Sequence, residues 1–151
     1  MSSFIGSSFT GSSFSGASFT GRTVMVTGAG VGIGFALCRA FAQAGAKVVL
    51  NDLDTRLAQF AAQKINDELQ TESVIAYGFD VADVAAIRKT VDEVGNRFGR
   101  LDVMIANAGI TNYGPFLDYT PEAFDRLSNV NLRGSYFTAQ AAARTMIAHK
   151  C

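Results

Sequence analysis

The sequence holds no tryptophan, one histidine, two cysteines and two prolines in 151 residues. Cys38 and Cys151 stand far apart with no C-x-x-C and no paired histidine. That arrangement argues against a zinc site or a disulfide framework, and it suits a reducing compartment, the cytoplasm. No run approaches 18 apolar residues, so no membrane span is expected, and the N-terminus lacks the basic and apolar regions of a secretory signal. Charge of either sign is scarce: 13 basic and 13 acidic side chains cancel, and the isoelectric point falls near 6.6. Without a Lys/Arg cluster to neutralise phosphates, neither nucleic acid nor an anionic membrane is an expected partner.

The scarcity is uneven, because the first 21 residues carry no charged side chain. Residues 2–21 are four tandem pentapeptides, the last being Ala17-Ser18-Phe19-Thr20-Gly21. A period of five serves neither a helix nor a strand, and Gly with Ser makes ordering the backbone costly. Residues 1–21 are therefore expected to form a disordered low-complexity tail, of which only the last unit touches the domain. The phenylalanines could alternatively serve as docking points. Residues 22–151 form the domain, and the chain's 48% hydrophobic residues suffice for one core.

Beyond Arg22, short apolar runs alternate with segments of helical period. Strands are predicted at 23–27, 47–51, 74–77 and 101–106, and helices at 33–44, 55–70 and 83–98, with Asp83 as a cap. Thr120-Pro121-Glu122 opens a further helix, and a final apolar one is expected from about 128 to 149. The resulting βαβαβαβα pattern specifies an α/β fold: a Rossmann-type, doubly wound parallel sheet with helices on both faces.

Thr27-Gly28-Ala29-Gly30-Val31-Gly32-Ile33-Gly34 occupies the first strand-to-helix turn. Glycines there let backbone N–H groups approach a pyrophosphate at a helix N-terminus. Asp52, at the end of the second strand, can accept hydrogen bonds from adenosine ribose hydroxyls, and Leu53 follows it. A 2′-phosphate would be repelled by this carboxylate, and Ala29, Val31 and Leu53 offer no cation, so NAD is expected rather than NADP. Arg56 is the nearest base. The competing reading is that the glycines serve only tight helix-to-strand packing.

These residues resemble the short-chain dehydrogenase/reductase family, whose T-G-x-x-x-G-x-G is matched by Thr27, Gly28, Gly32 and Gly34. Three further segments match in order. Phe79-Asp80-Val81 follows the third strand, where the resemblance implies that Asp80 lies against adenine; the residues alone leave a turn with Asp83 equally open. Asn107-Ala108-Gly109 follows the fourth strand and matches the N-A-G segment that steadies the sheet. Asn131, in Val130-Asn131-Leu132-Arg133-Gly134, matches the helix asparagine of the catalytic set. Without the resemblance it reads as an ordinary polar helix residue.

The resemblance implies hydride transfer between NAD(P) and an alcohol or carbonyl substrate. It also implies a Tyr-x-x-x-Lys pair and a serine, because a phenol of pKa about 10 needs a cationic neighbour to act as a base near neutrality. No tyrosine here has a lysine four residues later: Val81, Leu117, Ala123 and Gln140 occupy those places. Four βα units also fall short of a six-stranded sheet, so the domain is expected to be incomplete and the chain alone inactive. A non-catalytic NAD-binding or interaction module is the alternative, as is a fragment without folded function. The final helix is apolar almost all round, which implies association into a homo-oligomer through it and an exposed fourth-strand edge. His149 reads as a solvated helix end, Cys38 as a core residue and Cys151 as an incidental thiol.

Overall fold

A computed structural model describes residues 18–151; residues 1–17 of the tail expected over residues 1–21 lie outside the described residues. The strands are β1 (Thr23–Val26), β2 (Lys47–Asp52), β3 (Val74–Gly78) and β4 (Val103–Ile105), all parallel and ordered β3-β2-β1-β4. Between them run α1 (Gly32–Gln43), α2 (Thr55–Leu69) and α3 (Val84–Phe98); α4 (Pro121–Ser128) and α5 (Ser135–Ala148) follow β4. The doubly wound sheet inferred from the alternating pattern is therefore the observed one. β1 carries no polar side chain except Thr23 and is buried throughout, as a strand covered on both faces must be.

Two apolar layers flank the sheet. On one side α1 and α2 cover Val24, Val26, Val48 and Leu50 with Cys38, Phe41, Ala58 and Ile65. On the other, Ile87, Val91 and Val94 of α3 meet Ala141 and Ala142 of α5 over Met25 and Val49. Each fully buried Val, Leu or Ile contributes roughly 1.5–3 kcal/mol, so these layers supply most of the drive for packing. Phe19 joins the first layer: its ring meets that of Phe41 edge-on at 4.9 Å, and its N–H donates to the Ala44 carbonyl at 2.9 Å. The packed unit thus takes in Phe19, from the last of the pentapeptides.

Side-chain caps set the helix starts. Asp54 accepts from the Arg56 and Leu57 amides, Asp83 from Ala85 and Ala86, and Thr120 from Ala123 with Pro121 in the first turn. At the foot of the sheet Asp102 joins β1 to β4. Its carboxylate accepts from the Thr23 amide and from Arg22, each at 2.8 Å, and from Arg100. Burial opposes its charge, but those hydrogen bonds outweigh burial and hold the carboxyl well below the usual carboxylate range.

Two expectations need revision. β4 is only Val103–Ile105: after it the Asn107 amide turns back onto the Ile105 carbonyl at 3.0 Å. The helix expected from 128 to 149 is the second part of a longer helical run from Pro121, joined by one widened π turn over Asn129–Gly134. Its apolar character divides as expected for a one-sided partner. Ala141 and Ala142 are buried, whereas Leu132 in the π turn and Tyr136 and Ile147 on α5 stay exposed. β4 pairs with β1 alone among the described residues, leaving its outer edge open.

Candidate functional site

The strand order places a crevice where β1 and β4 diverge, since the chain leaves β1 toward one face and β4 toward the other. A cleft of about 460 Å³ occupies it. Its lining combines Gly28, Val31 and Ile33 of the glycine turn, Asp52 and Leu53 after β2, Asp80 and Val81 after β3, and Asn107, Ala108 and Gly109 after β4. Ten of the fifteen residues singled out from the sequence therefore converge on one cavity. Thr27 and Gly34 sit behind it, buried, while Gly30 and Gly32 line a smaller adjoining groove. Asn131 stands just outside; its neighbour Val130 lines the cleft.

The loop glycines have separable roles. A Cβ on Gly28, whose φ is +60°, would lie 2.6 Å from the Ala108 Cα, and one on Gly34 would lie 2.6 Å from the Gly28 carbonyl. Gly30 is walled by Leu57 and Asp52 at 2.7 and 2.8 Å. Gly32 differs: its φ is +63°, but a Cβ would meet nothing within 4 Å. Three glycines thus satisfy packing, and the fourth leaves an open space at the first residue of α1. There unpaired N–H groups and the helix dipole favour an anion.

Polar residues brace the loop. Thr27 Oγ1 accepts from the Asn107 and Ala108 amides, both at 3.1 Å, and Asn107 Nδ2 donates to the Thr27 and Gly28 carbonyls at 2.9 Å. Asn107 therefore fastens the end of β4 to the glycine turn. Asp52 accepts from the Gly30 amide at 2.9 Å and from Asp54 at 3.1 Å, one bond to each oxygen, so lone pairs remain for further donors. No ion pair to Asp52 occurs among the described residues. Asp80 Oδ1 takes the Ala82 amide at 2.8 Å and the Asp80 carbonyl takes the Asp83 amide at 3.0 Å, so the turn reading holds, at a position that also lines the cleft.

Asn131 clamps the chain leaving β4. Its Oδ1 accepts from the Ile110 amide at 2.8 Å and its Nδ2 donates to the Ile110 carbonyl at 2.9 Å. The π turn presents this side chain, and Gly134 in the same turn lets the helix approach the Val81 carbonyl, 2.8 Å from where a Cβ would stand. Cys38 is buried, which pushes its thiol up to about 12 and keeps it inert, while Cys151 is exposed. His149 caps the end of α5, away from the cleft-lining residues. Asn51, absent from the sequence-based candidates, lies buried against the cleft.

Over residues 22–151 the chain matches the family described as short chain dehydrogenase. It belongs to that family. Versicolorin reductase stcU of Emericella nidulans is 42% identical over 125 residues, which is 82% of this chain and 46% of the relative. A gluconate 5-dehydrogenase from Burkholderia cenocepacia, solved with NADP and tartrate, superposes at TM-score 0.79 with 39% identity, covering 87% of this chain and 51% of that one. NAD+-bound xylitol dehydrogenase superposes at TM-score 0.79 with 32% identity, covering 86% and 50%. The chain spans about half the length of these relatives. The short-chain dehydrogenase fold and its oxidoreductase family are thereby established, and the solved relatives carry either dinucleotide.

Among the described residues, no helix is long and apolar enough to cross a membrane.

Proposed function

We propose that this chain forms the dinucleotide-binding part of an NAD-dependent dehydrogenase or reductase acting on an alcohol or carbonyl substrate. The observation that carries the reading is Gly32, whose positive φ and open Cβ position leave room for a phosphate at the start of α1. Thr27, Gly28, Gly30 and Gly34 hold the turn, and Val31 and Ile33 present exposed side chains beside it. Asp52 would accept the ribose hydroxyls through its remaining lone pairs, with Leu53 beside it. Asp80 and Val81 would receive the adenine, and Asn107, Ala108 and Gly109 would flank the nicotinamide-side ribose. A nicotinamide ring, when bound, supplies the hydride acceptor or donor.

Asn131 is assigned a supporting part in catalysis, fixing the Ile110 backbone at the end of the cleft. Oxidation of a CH–OH group releases a hydride to the ring and a proton to a base. These 151 residues offer no Tyr-x-x-x-Lys pair to take that proton. The chain by itself is therefore proposed to bind cofactor without turnover.

NAD is favoured over NADP because Asp52 repels a 2′-phosphate and has no ion-pair partner among the described residues. Tyr136 and Ile147, exposed on α5, support association of copies through that helix, and the unpaired cysteines suit the cytoplasm. Calorimetric titration of the chain with NAD and NADP tests the reading. One NAD per chain, at least tenfold tighter than NADP, is expected; equal affinities would remove the Asp52 argument, and no binding of either would remove the reading.

A further inference from the structure

Asn51 is 1% exposed and stands opposite Tyr77, one rung before β2 and β3 end at Asp52 and Gly78. Its Nδ2 reaches three carbonyls where the strands part: Phe79 at 3.1 Å, Asp52 at 3.2 Å and Tyr77 at 3.3 Å. Its own carbonyl accepts the Ala29 amide at 2.7 Å, inside the glycine turn. Asn51 thus contacts the glycine turn, the Asp52 end of β2 and the Phe79-Asp80-Val81 segment together. Its Oδ1 is buried with no partner among the described residues. An apolar side chain would avoid leaving that oxygen unsatisfied, so what distinguishes asparagine here is the amide donor.

We infer that Asn51 is a positioning residue for the adenosine end of the cleft, holding the Asp80-bearing loop in register with Asp52 through its donation to the Phe79 and Tyr77 carbonyls. The inference rests on the cofactor reading only for which ligand feels the change. The other ties of the loop lie elsewhere: the Phe79 amide donates to the Asp52 carbonyl at 3.2 Å, Asp80 closes its own turn onto Ala82 and Asp83, Arg133 donates to the Ala82 carbonyl at 2.9 Å and the Phe79 ring packs on the core. Without the amide, the ends of β2 and β3 keep the Phe79–Asp52 backbone bond and lose the side-chain brace beside it. Asparagine is also suited by shape, since a carboxylate in its place would present only acceptors to three carbonyls, next to the charge of Asp52.

The test compares the chain with Asn51→Asp, Asn51→Leu and, as a variant destabilised from a buried site on α3, Val94→Ala. ADP is the probe, and amide hydrogen exchange is followed at Phe79, Ala82 and Asp83. Both Asn51 variants are expected to bind ADP at least tenfold more weakly and to exchange those amides at least tenfold faster, whereas Val94→Ala keeps ADP affinity within twofold. ADP affinity and loop exchange unchanged in the Asn51 variants would overturn the inference, as would the same changes in Val94→Ala. In the unmutated chain the Asn51 side-chain amide protons should exchange at least tenfold more slowly than those of an exposed asparagine such as Asn112. Fast exchange there overturns the inference even if no variant folds. Should the unmutated chain take no ADP, the cofactor reading fails, and the exchange data alone decide the role of Asn51.

Discussion

Replacing Gly32 and Gly28 by alanine, one at a time, separates what the glycine turn does for folding from what it does for binding. Both residues have positive φ, so each alanine carries roughly 1–2 kcal/mol of left-handed strain. At Gly32 nothing else is added, because the new methyl enters open space. At Gly28 the methyl would sit 2.6 Å from the Ala108 Cα, a backbone atom held by the Thr27 bonds, and overpacking adds about 1–3 kcal/mol. For a domain of roughly 130 residues, about 1 kcal/mol moves the melting temperature by roughly 3–5 °C. Gly32→Ala is therefore expected to melt about 3–10 °C low yet fold, and Gly28→Ala to lose about twice as much or fail to fold. Calorimetric titration should then find NAD binding by Gly32→Ala weakened at least tenfold, because the methyl stands where the phosphate approaches. Gly32→Ala binding NAD normally, or the two variants melting alike, would overturn this division of roles between Gly32 and Gly28.

Further outcomes follow from the same geometry. Asp52→Asn keeps an acceptor for the Gly30 amide and removes the charge, so NADP affinity should rise about tenfold, or about 1.4 kcal/mol, in a parallel titration. Asp102 has a folded pKa below its unfolded value of about 3.9, so its stabilisation is present above that value and lost as pH falls toward the folded pKa. Denaturant melts of Asp102→Asn should show about 2 kcal/mol lower stability at neutral pH and a shallower decline below pH 4 than the unmutated chain. Asn131→Ala releases both bonds to Ile110 and should increase amide exchange there while lowering stability by about 1–2 kcal/mol, with strands β1–β3 unaffected.

The parts of this molecule readable from sequence are those governed by local chemistry. Alternating apolar runs and caps such as Asp83 and Thr120 define where elements start, and right-handed crossovers then leave few sheet orders to choose from. The glycine turn was legible because positive φ and close approach demand a particular residue, as at Gly28. What was missed depends on distant partners. Asn51 reads as one residue of a buried strand until Tyr77 and Phe79 arrive beside it. The π turn has no signature in residues 129–134; it follows from Asn131 reaching Ile110 while Gly134 presses on Val81. Asp102 similarly becomes a junction only when β4 pairs with β1.

Whether NAD occupies the cleft beside the glycine turn is read from the backbone amide NMR spectrum of the isotopically labelled chain titrated with NAD. Saturable shifts are expected to concentrate at Gly28–Gly34, Asp52–Leu53, Phe79–Val81 and Asn107–Gly109, with Gly32 among the largest. Shifts centred instead on the apolar groove formed by Phe116, Tyr119 and Phe124, or no saturable shift at all, would contradict that placement.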